Sequence, residues 1–328
     1  MIISATPFRV SLFGGGTDYP SWFEENGGSV ISFSINKYCY VNIRDLHPFF
    51  DYKFRFVYSK EERINSFKDI NHPAIKGVLK HINWDKNKTF ELHHDGDLPA
   101  RSGLGSSSSF TVGFLNALYS YTNKSVSKKS LANEAIYIEQ KVIKENVGCQ
   151  DQVIASFGGF NRINFKKNNF FVKPLNLSKN NIKKIEESVV LAYTGISRIA
   201  DKFAAEKIKK IKSKKKNFSE ILNLVEEAEN LITKKNINLY DIGILLNETW
   251  RLKRSISSKI TSKKLDEIYN MGIKNGALGG KLLGAGGGGF VAFIINNRDK
   301  KNFINKMKPC ACIPIKIDMF GSRIIYKN

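Results

Sequence analysis

Residues 98–109 read LPARSGLGSSSS, and the chain continues with apolar side chains at helical spacing, at Phe110, Phe114, Leu115 and Leu118. Glycines let a backbone approach a polyanion closely, while the free N–H groups and the dipole of a first helical turn attract negative charge. The stretch therefore predicts a phosphate-binding loop that opens into a helix over residues 106–121. It is not a Walker A loop, because no Lys follows the last glycine. A serine-capped helix after a flexible turn is the alternative.

Two further loops are rich in glycine. Residues 8–19, FRVSLFGGGTDY, place three glycines before Asp18 at the end of a predicted strand, which is a common way to present a carboxylate to a hydroxyl-rich ligand. An ordinary glycine turn with Asp18 as a helix cap is the alternative. Residues 281–290, KLLGAGGGGF, hold five glycines in six positions and run into another predicted strand. That many glycines cost too much backbone entropy for a linker, so they predict close packing or ligand approach.

Two acidic residues lie between these loops. A second helix is predicted over 130–144 with Ser130 as its N-cap, and Glu139 lies on it where it could face a cleft and hold a divalent cation. A solvated glutamate is the alternative. Asp151 follows in a turn introduced by Gly148, where it could accept a hydroxyl proton or cap a helix over 152–157.

The order of predicted elements indicates an α+β fold with two domains, residues 1–185 and 186–328. The first domain alternates β-rich runs with the two helices, and the boundary is placed near 180–188, after a polar Ser-Lys-Asn-Asn stretch. The second begins with a strand over 189–194. Residues 199–275 are predicted to be helical, with breaks near Asn217, Asn236 and Ser262, and the domain ends in a β-rich section over 290–295 and 313–326.

Length and composition exclude several classes of protein. A chain of 328 residues with 42% hydrophobic residues can form two real cores, so a disordered or fibrous protein is excluded. Apolar runs reach about six residues, well short of the roughly 20 that cross a bilayer. The first residues, MIISATP, show no signal peptide, which predicts a cytoplasmic protein, and four Cys do not suggest a disulfide framework there.

The charge is the extreme feature, with 52 Lys and Arg against 30 Asp and Glu, a net +22. A surface this basic could bind nucleic acid, could attract anionic small molecules, or could have no role in binding. The lysine run over 207–216 contains no interleaved aromatic residue, so it is expected to be a solvated helix face. Nucleic acid and membrane are therefore not predicted as partners; a homodimer is left open.

Together, R-V-x-L-x-G-G-G-T-D, P-x-x-x-G-L-G-S-S, E followed by G-x-x-D-Q, and K-x-x-G-A-G-G-G-G resemble the motifs of the GHMP kinases, in this order along the chain. The resemblance extends from Ser4 to about Phe290. It implies that family's two-domain fold, an N-terminal domain with a left-handed βαβ crossover and a ferredoxin-like C-terminal domain. It also implies an ATP-dependent kinase that uses Mg²⁺.

By the resemblance, Asp151 is the catalytic base and Arg9 the cation that supports it, while Ser107 and Glu139 are the magnesium ligands. The nucleotide phosphates are expected at Pro99, Gly103, Leu104, Gly105, Ser106, Ser107 and Ser108. The sugar is expected at Gly15, Gly16, Thr17, Asp18, Gly286 and Gly287, and a phosphate on it at Arg198 or Lys253. Solvated cations are the alternative for the last two residues.

The substrate is suggested by a departure from the galactokinase pattern. Where galactokinases carry Glu-His, this chain has Gly15 and Gly16, which removes two polar sugar contacts. The form GGGTD is similar to the branch of the family that phosphorylates heptose 7-phosphate and fucose. The resemblance implies phosphorylation of the anomeric hydroxyl of a heptose 7-phosphate, with an unphosphorylated sugar such as fucose as the alternative. A catalytically silent sensor is less consistent with the presence of both Glu139 and Asp151.

Overall fold

A computed structural model describes residues 1–197 and 200–328 of the chain. Within them, eight strands form the larger sheet: β1 (Ile2–Phe13), β2 (Gly28–Asp45), β3 (Phe54–Val57), β4 (Glu61–Ile64), β5 (Phe90–Gly96), β6 (Phe160–Lys166), β7 (Asn169–Pro174) and β12 (Arg323–Lys327). Their order is β12-β1-β2-β5-β3-β4, with β6 pairing β2 and β7. All of these pairs are antiparallel except β3 with β5. The smaller sheet holds β8 (Val189–Tyr193), β9 (Gly279–Leu282), β10 (Phe290–Ile294) and β11 (Ala311–Pro314) in the antiparallel order β11-β8-β10-β9.

Helices cover these sheets, and the predicted α+β class is confirmed. They are α1 (Pro20–Asn26), α2 (Pro73–His81), α3 (Ser106–Tyr121), α4 (Lys128–Tyr137), α5 (Gln150–Phe157), α6 (Lys179–Ser188), α7 (Ala200–Lys210), α8 (Lys215–Ile232), α9 (Leu239–Ile256), α10 (Lys263–Lys274) and α11 (Lys300–Lys306). Within the described ranges, none is both long and apolar enough to span a bilayer. The predicted domain limits of 1–185 and 186–328 stay a prediction.

Strand β1 is buried along nearly its whole length, because other strands flank it and helix α3 packs on it. Its polar residues therefore lie inside the molecule. The Ser4 hydroxyl donates to the carbonyl of Gly113 on α3, and a Cβ at Gly113 would lie 2.7 Å from Thr6 Oγ1. Only a glycine allows α3 to approach this closely. The polar residues Arg9 and Ser11 on the same strand are thus held at fixed positions.

Several local predictions are wrong. Helix α4 is capped by Ser127, whose side chain accepts from the N–H of Ser130, so Ser130 is not the N-cap. A π-helical turn over Ile138–Val142 follows α4. The polar stretch beside the predicted domain boundary forms the start of helix α6, because Ser178 caps this helix by accepting from the N–H of Asn181; the boundary itself stays a prediction. Asn217 lies within α8, and the helical break comes before Lys215.

The end of the chain also differs from the prediction. The predicted β-rich segment 313–326 contains the end of β11 and most of β12. Strand β12 does not join the smaller sheet, since it pairs antiparallel with β1, in a register that places Ile2 opposite Lys327. The terminal strand assigned to the second domain therefore completes the larger sheet.

Candidate active site

The side chains of Arg9 and Asp151 form a bidentate ion pair that joins strand β1 to helix α5. Arg9 Nε donates to Asp151 Oδ1 and Arg9 Nη2 to Asp151 Oδ2, both at 2.7 Å. Arg9 comes from β1 and is 3% exposed, while Asp151 lies in the first turn of α5 with 24% of its side chain exposed. Because a bidentate arginine fixes a carboxylate in orientation, the pair presents Asp151 to solvent in one defined pose.

The predicted phosphate loop lies directly against this pair. Arg9 Nη1 donates to the carbonyl of Gly103 at 2.7 Å, and the Arg9 N–H donates to the carbonyl of Leu104 at 3.1 Å. Gly105 has a φ of +77° and begins α3; a Cβ there would lie 3.3 Å from Arg9 Cγ and 3.3 Å from Asp151 Oδ2. An anion at the N-terminus of α3 would therefore lie beside Asp151.

The residues of this loop differ in what they can offer a nucleotide. Leu104 is fully buried, so only its backbone belongs to the loop surface. Pro99 and Ser107 are exposed, and Gly103, Gly105 and Ser106 are partly exposed. The hydroxyl of Ser106 accepts from the N–H of Arg101, which closes the loop.

The carboxylate of Glu139 is buried behind the first turn of α3. Ser108 Oγ donates to Glu139 Oε2 at 2.9 Å, and Gln152 Nε2 donates to the same oxygen. Glu139 is 1% exposed, which rules out the solvated alternative, and burial raises its pKa to about 7, with the charge of Glu145 adding to the effect. Among the residues that the structure describes, no hydrogen-bond partner reaches the buried Oε1 of Glu139. A buried, unpaired carboxylate oxygen fits a divalent cation, which would favour the ionised form.

The serine that contacts Glu139 is Ser108, not the predicted ligand Ser107. Consecutive helical residues point in directions about 100° apart, so Ser107 faces outward when Ser108 faces Glu139. Metal ligation by Ser107 stays a prediction. Among residues 1–197 and 200–328, no three His, Cys, Asp or Glu side chains cluster as a ready-made metal site.

The loop before α1 holds the second buried carboxylate, that of Asp18. Its Oδ1 accepts from the N–H of Gly16 at 2.8 Å and its Oδ2 from Gln150 Nε2 at 3.1 Å. Burial raises the pKa of Asp18, with the nearby charge of Asp151 adding to the effect, while Gly16 and the charge of Lys207 oppose it. The hydroxyl of Thr17 is buried; it lies within hydrogen-bond distance of the carbonyls of Gly14 and Ser29 and accepts from the N–H of Ser29, so it holds the loop together.

Two lysines complete the site, and both are buried. Lys281 is 2% exposed and donates to the carbonyl of Leu12 at 2.7 Å. Burial lowers the pKa of Lys281 to about 7, with the charges of Lys207 and Arg9 contributing. Lys207 is 3% exposed and lies with its ammonium 5.6 Å from the ring centre of Tyr19.

The prediction that the lysine run is a solvated face is wrong for Lys207. This residue follows Ala204 by three positions and precedes Ile211 by four, and both neighbours are buried. That spacing places Lys207 on the inward face of α7. Hydrophobic periodicity was the signal that could have distinguished it from the other lysines.

The third glycine loop packs tightly against its surroundings. A Cβ at Gly287 would lie 2.2 Å from Phe203 Cζ, and one at Gly286 would lie 3.1 Å from Ile260 Cα. Gly289 lies against the phosphate loop, where its Cβ would be 2.1 Å from the carbonyl oxygen of Ser102. These positions show the close packing that the glycines predicted. Substrate contacts by Gly286 and Gly287 stay a prediction.

The structure describes one of the two cationic residues that were predicted to bind a phosphate group of the substrate. Lys253 is 4% exposed, and its ammonium donates to the carbonyls of Leu282 and Gly284, each at 2.7 Å. It therefore anchors the start of the third glycine loop to α9. Arg198 lies outside the described residues.

Three carboxyl groups, from Asp18, Glu139 and Asp151, and three basic groups, from Arg9, Lys207 and Lys281, lie around the start of α3. The basic groups and the helix N-terminus suit a highly charged anion. The partly exposed Asp151 suits proton transfer from a neutral group. This is the arrangement that a phosphoryl-transfer site requires.

Comparison with known proteins agrees with this geometry. The family model for the GHMP kinases N terminal domain matches residues 71–159, and that for the GHMP kinases C terminal domain matches residues 224–312. A D-glycero-alpha-D-manno-heptose 7-phosphate kinase of Campylobacter jejuni subsp. jejuni is 30% identical over 323 residues, covering 94% of this chain and 93% of that protein. A mevalonate kinase of Methanocaldococcus jannaschii is 27% identical and covers 74% of each chain.

Solved structures show the same fold. The crystal structure of a D-glycero-D-manno-heptose 1-phosphate kinase from Bacteriodes thetaiotaomicron superposes with a TM-score of 0.79 over 100% of both chains, at 23% identity. A crystal structure titled mevalonate kinase gives a TM-score of 0.74 over 97% of this chain, also at 23% identity. The motif resemblance and the expected two-domain fold are confirmed: the chain belongs to the GHMP kinases.

Proposed function

We propose that the protein is an ATP-dependent sugar-phosphate kinase that phosphorylates the anomeric hydroxyl of D-glycero-D-manno-heptose 7-phosphate and gives the 1,7-bisphosphate. The observation that carries the proposal is the Asp151 carboxylate, held by Arg9 and placed 3.3 Å from where a side chain at Gly105 would begin. A phosphate at the start of α3 and a hydroxyl at Asp151 would then be neighbours. Since the reaction consumes ATP, we expect it to occur in the cytoplasm.

In the proposed reaction, Asp151 accepts the proton of the anomeric hydroxyl. The freed oxygen forms a bond to the γ-phosphorus of ATP while the bond from that phosphorus to the bridging oxygen breaks, and ADP leaves. Both Asp151 oxygens are held by Arg9, yet each keeps a lone pair for this proton. Arg9 thus positions the base, and its charge, with that of Lys207, offsets the negative charge that collects at the site.

Mg²⁺ would be held by Glu139 together with a serine hydroxyl of the α3 N-terminus, from Ser107 or Ser108. The oxygen that supports this assignment is Oε1 of Glu139, which has no hydrogen-bond partner in the described part of the chain. When bound, the ion neutralises phosphate charge and orients the nucleotide phosphates. Gln152 and Ser108 fix the other oxygen of Glu139, so the carboxylate is oriented before any ion arrives.

The choice of heptose 7-phosphate rests on similarity to the Campylobacter relative and on the GGGTD form of the second loop. The second candidate, an unphosphorylated sugar such as fucose, is favoured by the similarity to a bifunctional fucokinase/GDP-fucose pyrophosphorylase of Arabidopsis thaliana, which is 22% identical over 95% of this chain. The two candidate substrates differ in charge, because only heptose 7-phosphate carries a phosphate group. We propose Arg198 as the contact for the 7-phosphate, because Lys253 is engaged with backbone carbonyls.

A coupled assay of ADP release across a set of acceptors tests the proposal. The set comprises heptose 7-phosphate, free heptose, fucose, galactose and mevalonate. We expect heptose 7-phosphate to be preferred, and Asp151→Asn to remove that activity. Equal or better turnover of mevalonate or a free sugar would contradict the proposed substrate.

A further inference from the structure

Helix α7 brings Lys207 to the active site from the stretch of chain between the two matched family domains. The Lys207 ammonium lies 5.6 Å from the ring centre of Tyr19, and its charge opposes the rise that burial causes in the pKa of Asp18. The lysine is 3% exposed. The position of this charge therefore depends on what holds α7 in place.

The start of α7 is bound to the segment that joins Glu139 to Asp151. Oδ1 of Asp201 accepts two hydrogen bonds from Asn146, one from its backbone N–H at 2.7 Å and one from its Nδ2 at 2.9 Å. A carboxylate acceptor makes such bonds stronger than those between neutral groups. Asp201 also lies in the first turn of α7, where the helix dipole stabilises a negative charge.

The segment that carries Asn146 is itself attached to the active site. The N–H of Glu145 donates to the carbonyl of Glu139 at 2.9 Å. The N–H of Cys149 donates to the carbonyl of Asp18 at 3.0 Å. Asn146 thus lies in a loop that is hydrogen-bonded on both sides to residues of the site, and it can fix a second element relative to them.

Helix α7 also contacts the C-terminal half of the chain. A Cβ at Gly287 in the third glycine loop would lie 2.2 Å from Phe203 Cζ, and Glu206 pairs with Lys259 at 3.3 Å. The helix therefore bridges the third glycine loop and the loop of Asn146. The six residues from its first turn to Lys207 span about 9 Å of helix, so a shift of that turn moves the ammonium with it.

We propose that Asp201 is a positioning residue for the kinase reaction, because its hydrogen bonds with Asn146 hold α7 where Lys207 reaches the active site. Asp201 makes no contact with substrate and acts through Lys207. This inference rests on the proposed function, since the charge of Lys207 matters for catalysis only where anionic groups collect.

The variant Asp201→Ala tests the proposal, with Glu206→Ala as its matched control on the same helix. Asp201→Ala should lower kcat/KM for heptose 7-phosphate by roughly 10- to 150-fold, the effect of one charge-assisted hydrogen bond, and by no more than Lys207→Met does. KM for ATP and the Mg²⁺ requirement should not change. Glu206→Ala removes a partly exposed ion pair and should leave all these values unchanged.

The conservative variant Asp201→Asn should recover most of the lost kcat/KM. Its amide oxygen can still accept both hydrogen bonds from Asn146. It also removes the charge that adds to the effect of burial in raising the pKa of Glu145. A loss as large as that of Asp201→Ala would contradict positioning through these hydrogen bonds.

Two further measurements separate positioning through Lys207 from a general structural role. In a Lys207→Met background, Asp201→Ala should cause no additional loss of kcat/KM. Amide hydrogen exchange over residues 201–210, which needs no acceptor, should become faster in Asp201→Ala and stay unchanged in Glu206→Ala. Unchanged exchange in Asp201→Ala, or an equal loss of kcat/KM with and without Lys207, would overturn the inference. Faster exchange in a protein that phosphorylates no sugar phosphate would instead refute the proposed function.

Discussion

Replacing Asp151 by Asn removes the proposed base and also disturbs the pair that holds it. The amide oxygen can still accept one of the two 2.7 Å hydrogen bonds from Arg9, but the amide nitrogen cannot accept the other. Because Arg9 is 3% exposed, the lost charge-assisted bond should cost about 1.5 to 3 kcal/mol of folding free energy. The loss of a positioned base should lower kcat by about 10² to 10⁴.

The two effects are separated by measuring urea unfolding and initial rates of ADP release on the same variant. Glu229→Gln provides the control, since Glu229 is 9% exposed and accepts from Arg162 at 2.6 Å and from Lys173 at 2.6 Å away from the site. The control should lose comparable stability and keep kcat. The reasoning is refuted if Asp151→Asn retains kcat within about tenfold of the wild type, or if the control loses kcat equally.

Three further predictions follow from the site. Glu139→Gln should raise the Mg²⁺ concentration needed for half-maximal rate, because an anionic oxygen ligand becomes neutral; an unchanged Mg²⁺ titration would contradict the metal assignment. Gly105→Val should raise KM for ATP, since a side chain there lies 3.3 Å from Arg9 and Asp151 and the backbone has a φ of +77°; unaltered ATP affinity with a lower Tm would favour a purely structural turn. In the folded protein the pKa of Lys281 is lowered to about 7, so above that pH the unfolded chain binds a proton at Lys281 that the folded protein has lost. The free energy of unfolding of the wild type should therefore rise between pH 7 and 9, by up to about 1.4 kcal/mol per pH unit. Lys281→Met should flatten this dependence in urea unfolding, and an equal slope in both proteins would show that Lys281 is charged when folded.

The sequence predicted the central elements because local and global signals agreed there. Helix α3 begins and ends at Ser106 and Tyr121 as predicted, since a glycine turn and a 3.6-residue apolar period mark the same segment. Strand β1, Ile2–Phe13, ends at the glycine triplet as predicted, with the motif residue Arg9 on it. The residues of the motifs were enough to identify Arg9 and Asp151 as candidate members of one active site.

Other features depended on tertiary contacts that no local pattern contains. The polar stretch after Ser178 was placed beside a domain boundary, yet Asn181 and Lys184 bond to the segment after α8. Asn181 Nδ2 donates to the carbonyl of Lys234 and Lys184 Nζ to that of Ile237. Lys207 resembled its solvated neighbours in composition and differed only in which helix face it occupies. The pairing of Glu139 with Ser108 instead of Ser107 depends on side-chain direction at the start of α3, which the repeated serines do not reveal.

The most direct test of the proposed function is the identity of the product formed from ATP and heptose 7-phosphate. Phosphorus NMR of the reaction should show one new phosphate ester on the anomeric carbon, in a molecule that keeps its 7-phosphate, and kcat/KM should exceed the values for free heptose and fucose. A second phosphate at any other carbon would contradict the proposed acceptor hydroxyl. Equal kcat/KM for a free sugar would contradict the sugar-phosphate assignment and favour the fucose-type alternative.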